Sequence, residues 1–546
     1  HLSQVTPLRL RGLSDRLERA WADRQLRRTV DRVESYLAAS ADGADSGQSP
    51  VVFFNASTRI HTLSLNAAYS LLTSWGLRAR GIPVKYLVCH RAMEQCILGT
   101  NRQDLQAPPP CSPCIYFSEL LFPPESTLRL PLAPAAATAV RSELRGLSAD
   151  ELAAWQHQGY PLGELILPSV RWALRRHHLD DDPATRGLYS QYLRSAASLV
   201  DRLQWMLDRL EPAALVLFNG VTYPEAVAWA VARSRGISVV THEVGLKPQS
   251  AFFSHDHATF REIDLPPGFE LSQAEEEALN RYLVGRRQGQ FTMAGIRFWP
   301  SMQELPARVQ DGLDRFEQTV AIFTNVIFDT SQIHANVLFD DMFDWLDSLV
   351  PLIQSHPKTL FVLRAHPDEN RPGKESQENV ADWYRDSPIC DVDNVIFLPP
   401  DDYVSSYQLI ERAKFVLVFN SSIGLEASIM GSAVLSAGRA RYTQADTVFM
   451  PSSRSRYLEA ADRMLAAEAL DIPAAHQANA RRFLYRELHH ASLDFSPYLR
   501  PYPSMAGMVL FSEFEPTKLV EDPLFQRLRA GIIDGDSFVA PSRKAA

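Results

Sequence analysis

Short apolar runs, rich in β-branched and aromatic residues, alternate along this chain with longer stretches whose apolar positions follow helical spacing. The runs are too short for buried helices, so they predict buried strands of parallel sheets. The predicted strands cover residues 51–55, 84–89, 214–218, 236–243, 319–325, 359–364, 394–398 and 415–419. Strands that alternate with helices predict an α/β fold, and the two successive groups predict two Rossmann-like domains.

The N-terminal residues 8–40 predict one long amphipathic helix, because leucine, tryptophan and valine recur near helical spacing. Its polar face is rich in arginine with acidic residues interleaved. This suits a solvated helix packed on the body or on a second subunit, or a helix lying on a membrane surface. We expect an N-terminal helical extension and linker (1–49), a first Rossmann-like domain (50–310) with a cysteine-rich insertion (89–114), a second Rossmann-like domain (311–480) and a helical or irregular tail (481–546).

Composition narrows the class of protein. The chain has 546 residues, 46% of them hydrophobic and 22% charged, as in ordinary soluble globular proteins of two or more domains. The net charge of -9 gives no reason to expect nucleic acid as a partner. No apolar run approaches the roughly 20 residues that span a bilayer. Without a signal-peptide pattern or a disulfide framework, we expect the cytoplasm, with peripheral membrane association as the alternative.

A serine-rich turn follows the last predicted strand, 415–419. The turn consists of Asn420, Ser421, Ser422, Ile423 and Gly424. A strand, a small polar turn and the start of a helix together predict an anion site, because free backbone N–H groups and the helix dipole face the loop. The serines can also cap the helix, and Glu426 in its first turn can bond a ribose. The alternative is an ordinary capped turn of any α/β protein.

A second motif follows strand 359–364. Its last residue, Arg364, is followed by Ala365, His366 and Pro367. A histidine at the carboxyl end of a parallel strand lies where open α/β sheets bind ligands. Arg364 or His366 can meet a phosphate, with the imidazole donating a hydrogen bond or a proton. The alternative is a surface turn.

Taken together, Arg364-Ala365-His366-Pro367 and the segment from Asn420 to Ala427 resemble the motifs of bacterial capsule-polysaccharide glycosyltransferases. The similarity is to the β-Kdo transferases of capsule export and, more distantly, to polysialyltransferases and teichoic-acid glycerophosphotransferases. It covers residues 320–450 well and the first domain only in pattern. The resemblance implies the GT-B architecture, two Rossmann-like domains facing a cleft. It also implies metal-independent transfer of a sugar from a nucleotide donor, CMP-linked or CDP-linked in several of these families, to a hydroxyl of a surface glycan or glycolipid precursor.

The same resemblance implies which residues hold the nucleotide-sugar donor. His366, Ser421 and Ser422 would bind its phosphates, and Glu426 its ribose. The full implied set is Arg364, His366, Asn420, Ser421, Ser422, Gly424, Glu426, Asn325 and Asp329, with Thr330 beside them.

A base that deprotonates the acceptor hydroxyl is expected from the first domain. Glu243, near a strand end in Thr241-His242-Glu243-Val244-Gly245, resembles the acidic catalytic residue of the polysialyltransferases. A positioned base contributes about 10²–10⁴-fold to the rate. His61, in the loop after the first strand, is the second candidate. The alternatives are a cap or ion pair for Glu243 and a solvated loop position for His61.

Four of the five cysteines fall in one short stretch: Cys89, Cys96, Cys111 and Cys114. The C-x2-C pair suits a structural zinc site with four thiolates, and an iron–sulfur cluster uses the same ligands. His90 can substitute for one ligand. The alternatives are free or disulfide-paired thiols, and Cys390 stands apart as an ordinary cysteine.

Other functions share the predicted scaffold. A UDP-sugar 2-epimerase uses the same two-domain cleft, and a polyol-phosphate transferase differs only in what the donor carries. A third alternative is a non-catalytic GT-B scaffold that binds polysaccharide. The helical region 117–205 and the cysteine-bearing insertion favour a larger acceptor than an epimerase needs.

Overall fold

The computed structural model describes residues 8–40, 47–56, 62–131, 140–290 and 300–541, with side chains described from residue 17 onward. The chain folds into two compact units. The first unit takes the chain up to Ser169, together with Asp181–Ala258 and Ser492–Phe538. The second unit takes Val170–Asp180, Thr259–Ala491 and the residues from Val539 onward.

The first unit is built on a seven-stranded sheet in the order β13-β7-β6-β5-β1-β3-β4. Its strands are β1 Val51–Asn55, β2 Leu63–Ser64, β3 Val84–His90, β4 Thr127–Pro131, β5 Ala214–Phe218, β6 Ser238–Val244, β7 Ser250–Ser254, β13 Leu493–Asp494, β14 Leu499–Pro501 and β15 Met508–Phe511. The five strands from β6 to β4 are parallel, whereas β7 and β13 run antiparallel at one edge. A small antiparallel sheet, β14-β15-β2, completes the unit.

The second unit is built on a five-stranded sheet in the order β10-β9-β8-β11-β12, and every neighbouring pair in it is parallel. Its strands are β8 Gln318–Phe323, β9 Thr359–Arg364, β10 Val395–Leu398, β11 Phe415–Val418 and β12 Val434–Ser436. Trp345, Phe361 and Leu417 lie in its fully buried core. Each unit is thus an α/β unit built on a mainly parallel sheet, which confirms the predicted Rossmann-like fold class.

Helices connect the strands in both units. In the described part of the chain they are α1 Leu8–Ser40, α2 Leu65–Arg78, α3 Cys111–Leu121, α4 Ala149–Ala153, α5 Leu162–Leu174, α6 Pro183–Leu210, α7 Glu225–Ser234, α8 Gln273–Arg287, α9 Ala307–Arg315, α10 Met342–Ser355, α11 Val380–Asp386, α12 Ser406–Arg412, α13 Ile423–Ile429, α14 Arg454–Ala466, α15 Ala474–Arg486, α16 Lys518–Glu521 and α17 Pro523–Arg529. Side-chain caps fix several starts: Ser64 accepts from the N–H of Ala67 at 3.2 Å, and Asp182 from that of Thr185 at 2.7 Å. Across the described ranges, no helix has both the length and the apolar character that a membrane crossing requires.

The N-terminal helix α1 packs on the first unit. Val33 and Leu37 are buried in the core of that unit. The carboxylate of Glu34 accepts two hydrogen bonds of 2.7 Å from the Arg78 guanidinium and one of 3.0 Å from Trp75 Nε1. The C-terminal half of the predicted helical extension is therefore docked on the body, one of the two arrangements that its pattern predicted.

The division into units differs from the predicted boundary at residue 310. The segment after Thr259 belongs to the second unit, where Glu276 on α8 accepts from Arg481 Nε on α15 at 3.0 Å. The tail is not a separate region either, because residues 492–538 return to the first unit and supply its edge strand β13. Both differences arise from long-range pairing, which the local apolar pattern does not encode.

The short segment Val170–Asp180 is held in the second unit by a histidine between two carboxylates. His178 Nδ1 lies 2.5 Å from Glu378 Oε1, and His178 Nε2 lies 3.0 Å from Asp341 Oδ2. The backbone N–H groups of His177 and His178 also donate to Glu378, at 2.8 and 3.0 Å. The hydrogen bonds to Asp341 and Glu378 raise the pKa of His178 to about 10, so the imidazolium anchors the segment at neutral pH.

We expect His178→Gln to lower the free energy of unfolding most at acidic pH and progressively less as the pH rises above neutrality. The imidazolium contributes fully below its ordinary pKa of about 6.5, and its contribution is lost as the pH rises through about 10. Urea unfolding of the wild type and the variant across that interval measures the difference. His356→Gln is the control, because its ion pair with the exposed Asp462 is 3.5 Å long. A destabilisation that does not change with pH would contradict the assignment.

Candidate functional site

The candidate site lies where strand order reverses in the second unit. From β8 the chain builds β9 and β10 on one side, then returns to place β11 and β12 on the other. Open α/β sheets bind ligands beside such a reversal, at the carboxyl ends of the strands. A cavity of about 120 Å³ lies there. Its lining includes Arg364, His366, Tyr407, Ser421, Ser422 and Glu426, so the structure brings the His-Pro and serine motifs together.

Arg364 is a buried cation with a missing partner. It is the last residue of β9 and only 4% exposed. Burial lowers the pKa of its guanidinium to about 10, an effect that the charge of Asp402 partly offsets. Its Nη1 has no hydrogen-bond partner among the described residues. A buried donor without a partner costs free energy, and an anion in the cavity would remove that cost.

His366 presents a neutral imidazole to the same cavity. Its Nδ1 accepts a 3.1 Å hydrogen bond from the backbone N–H of Asp368 and thereby caps the short helical turn Pro367–Asn370. A nitrogen that accepts carries no proton, so the neutral ring holds its proton on Nε2. Burial lowers the pKa of His366. The side chain therefore serves as a neutral hydrogen-bond donor at neutral pH.

The serine turn does not cap the helix that follows it. Ser422 precedes α13 with helical backbone angles (φ -61, ψ -19), and its side chain makes no capping bond. The expectation that these serines cap the helix is therefore wrong, since capping needs an extended N-cap backbone. Ser421 is buried, and its carbonyl accepts from Tyr442 Oη at 2.7 Å. Both serines line the cavity.

Gly424 and Glu426 each have a structural partner. A Cβ at Gly424 would lie 2.3 Å from Tyr442 Oη, so the close approach of the tyrosine explains the glycine. Glu426 is 6% exposed and accepts a 2.8 Å bond from Arg286 Nε and a short one from the Tyr407 hydroxyl. Burial, with the Glu426 charge, raises the pKa of Tyr407, so this phenol stays a donor. A ribose contact for Glu426 remains a prediction.

Asn325 and Asn420 tie the ends of β8 and β11 together. Asn325 Nδ2 donates to Asn420 Oδ1 at 2.9 Å, and Asn420 Nδ2 donates to the Ser331 carbonyl at 3.0 Å. Ser331 Oγ in turn donates to Asp329 Oδ2 at 3.1 Å. These predicted donor-site residues form one network at the strand reversal, where they position the two loops.

Sequence reasoning missed Glu369, three residues after His366. It is fully buried, and its two carboxyl oxygens lie 3.3 and 3.4 Å from the backbone nitrogen of Val380, whose N–H donates to them. Burial raises the pKa of this carboxyl to about 8. Its place in a polar His-Pro-Asp-Glu turn gives no apolar periodicity that would signal burial.

We expect Glu369→Gln to flatten the pH dependence of stability. The unfolded carboxyl ionises near 4.5 while the folded one stays protonated until about 8, so folding stability falls as the pH rises between these values. An amide does not ionise and removes that slope. Denaturant unfolding at the two ends of the interval measures it, with the exposed Glu411→Gln as control. An unchanged slope in Glu369→Gln would contradict the buried, protonated carboxyl.

The candidate base Glu243 lies in a polar cluster of the first unit, on β6. Its carboxylate accepts from Asn66 Nδ2 at 3.4 Å and from Asn219 Nδ2 at 3.5 Å, and from its neighbour's backbone N–H at 2.8 Å. Bonds of 3.4–3.5 Å are at the weak limit for N–H donors. Tyr69, fully buried, adjoins the cluster, and burial with the Glu243 charge raises its pKa.

The remaining histidines and cysteines of the sequence analysis lie in different parts of the molecule. His242, next to Glu243, is a core residue stacked near Phe218 and Phe253, and burial lowers its pKa to about 3. His61 lies outside the described residues. The four clustered cysteines line one small cavity of the first unit, whereas Cys390 belongs to the second.

Comparisons with known proteins give distant similarities. No family model matches the chain. Protein FixF of Sinorhizobium fredii (strain NBRC 101917 / NGR234) is 24% identical over 304 residues, which are 53% of this chain and 64% of FixF, so the match spans less than two thirds of that relative. The Thermosulfurimonas dismutans KpsC β-Kdo 2,4-transferase aligns with a TM-score of 0.35 and 12% identity over 57% of this chain and 87% of that one. The UDP-GlcNAc 2-epimerase of Neisseria meningitidis, bound to UDP-GlcNAc, aligns with a TM-score of 0.23 and 12% identity over 80% and 98%.

Proposed function

We propose that this chain is a glycosyltransferase whose second unit binds the phosphate of a nucleotide-activated sugar. The observation that carries the proposal is Arg364, a buried residue that lines a cavity at the strand reversal and whose Nη1 has no hydrogen-bond partner among the described residues. A phosphate supplies the negative charge and the acceptor oxygens that this side chain lacks.

The remaining groups of the cavity suit a departing nucleotide. The Nε2–H of His366 and the hydroxyls of Ser421 and Ser422 are neutral donors on the same wall as Arg364. Donors placed where charge develops stabilise the leaving phosphate, and the guanidinium adds a full positive charge. We therefore propose that these residues carry the leaving group without a divalent cation, as the motif resemblance implies.

The acceptor and its base are the second part of the proposal. We assign Glu243 as the general base that takes the proton of an acceptor hydroxyl on a glycan or glycolipid. The residue is partly exposed on β6, and its carboxylate lies beside the amides of Asn66 and Asn219, within the polar cluster where an acceptor hydroxyl would meet a base. The GT-B arrangement across a cleft, a cytidine nucleotide and a place in capsule polysaccharide synthesis are the further expectations of the motif resemblance.

We expect Arg364→Gln to weaken nucleotide binding about 10–100-fold, the usual worth of a hydrogen bond to a charged group. Thermal shifts with CMP, CDP, UDP and GDP measure this, because ligand at 100 times its Kd stabilises the wild type by about 2.7 kcal/mol. Ser422→Ala should weaken the same nucleotide by less.

The control for that experiment is Arg412→Gln. Arg412 is 53% exposed on the same unit and pairs with Asp314 at 2.9 Å, away from the cavity lining. Equal nucleotide affinity in the wild type and Arg364→Gln would contradict a phosphate site at this arginine.

We expect Glu243→Gln to lower turnover about 10²–10⁴-fold while nucleotide binding is unchanged. Release of free nucleotide, with and without a glycan acceptor, measures turnover and separates a transferase from an epimerase. Glu119→Gln is the matched control. Glu119 is 52% exposed, and its ion pair with the equally exposed Arg129, 3.5 Å long, should contribute little to stability. Near-normal turnover in Glu243→Gln would remove it as the base.

A further inference from the structure

We propose that Cys89, Cys96, Cys111 and Cys114 bind a metal centre through four thiolates. The fold brings these residues together from three segments: the end of β3, the loop that follows it and the first turn of α3. All four line a single cavity of about 30 Å³. That volume accommodates a single ion, whereas an iron–sulfur cluster requires the cavity to widen.

Among the described residues, the wall of the cavity carries no carboxylate or imidazole that would compete with the thiols. Besides the thiols and Arg91, its lining consists of apolar side chains and glycine, among them Leu98, Pro109 and Ile115. Arg91 donates from Nη2 to Ser112 Oγ at 3.3 Å. Thiolates are soft ligands that select zinc, copper(I) and iron–sulfur clusters over hard cations. The chemistry of the lining therefore favours a thiophilic metal.

A backbone amide supports one of the sulfurs. The N–H of Ala92, three residues after Cys89, donates to Cys89 Sγ at 3.3 Å. The N–H of Gly99, three residues after Cys96, donates to the Cys96 carbonyl at 3.1 Å and closes the turn there. N–H groups aimed at sulfur stabilise a thiolate bound to a metal and orient it.

Close packing at Gly99 holds the second cysteine in place. A Cβ at position 99 would lie 2.7 Å from Pro109 Cβ and 3.1 Å from Cys96 Sγ. The absence of a side chain lets the turn after Cys96 approach the proline-rich segment that leads into α3. The loop and the C-x2-C pair are thus drawn to the same cavity.

No three of the four cysteine Sγ atoms lie within 4.8 Å of one another; among the described residues, the group with that spacing is His177, His178 and Asp341. The sulfurs are therefore farther apart than the ligands of a bound zinc ion. Zinc–sulfur bonds of about 2.3 Å put thiolates about 3.8 Å apart. To bind zinc, the cysteine side chains must rotate so that their sulfurs move closer together. An iron–sulfur cluster, in which each thiolate binds its own iron, holds the four sulfurs farther apart.

A zinc ion and an iron–sulfur cluster would use the same four thiolates and would have the same structural role. With four protein thiolates the coordination is complete, so the centre is structural rather than catalytic. It would pin the loop between β3 and α3 to both elements.

The test uses the full chain, purified without oxygen from metal-replete cells. We expect about one zinc per chain, or about four irons with equal acid-labile sulfide and visible absorption, by elemental analysis and spectroscopy. The first result identifies an ion and the second a cluster. X-ray absorption at the bound metal should show an all-sulfur shell at about 2.3 Å.

A double variant, Cys111→Ser with Cys114→Ser, should lose most of the metal, while Cys390→Ser, in the second unit, should keep it. If the double variant does not fold, the absorption measurement on the wild type still decides. A metal-free wild type, a disulfide between these cysteines, or a metal shell without sulfur would overturn the proposal. Nucleotide binding by the second unit is measured separately, so a failure here leaves the donor-site result unaffected.

Discussion

A parallel sheet places the carboxyl ends of its strands along one edge. Where the strand order reverses, the loops that follow the two neighbouring strands lead in opposite directions and leave a crevice between them. Both units obey this constraint, between β1 and β5 in the first and between β8 and β11 in the second. Asparagines follow the strands at each reversal. Asn219 turns the chain with φ +26 and accepts from the N–H of Val221 at 3.0 Å, while Asn325 and Asn420 bond each other. Short amides satisfy backbone groups that a buried turn leaves open.

Burial shifts the pKa of three titratable groups around the second reversal: Arg364, His366 and Glu369. Arg364 stays charged because guanidinium holds its proton even when its pKa is lowered, whereas His366 becomes a neutral donor. Glu426 pairs with Arg286 at 2.8 Å, and burial raises the pKa of Glu369. The cavity lining therefore combines the cations Arg364, Arg286 and Arg287 with the neutral imidazole of His366, and Glu426 is the carboxylate among them.

The sequence predicted eight of the parallel strands because each apolar run is local, and it missed β4, β7 and the short strands β2, β13, β14 and β15. It predicted the meeting of Arg364, His366 and Ser421 because carboxyl ends of parallel strands converge. It could not predict the ion pair of Glu426 with Arg286, since the two residues are far apart in the chain. The return of residues 492–538 to the first unit was missed for a similar reason: β13 is two residues long and has no periodic pattern of its own.

The path of the chain between the units has a consequence for biosynthesis. The core of the first unit joins Val51 and Phe53 to Phe495, Phe511 and Phe525. A ribosome therefore releases most of the second unit, Thr259–Ala491, before the last pieces of the first have been made. Domains usually fold in the order of their synthesis, N-terminal first. Here the first unit receives its segment Ser492–Phe538 only after most of the second unit has been made. Until then its sheet lacks the edge strand β13 and its core lacks Phe495, Phe511 and Phe525.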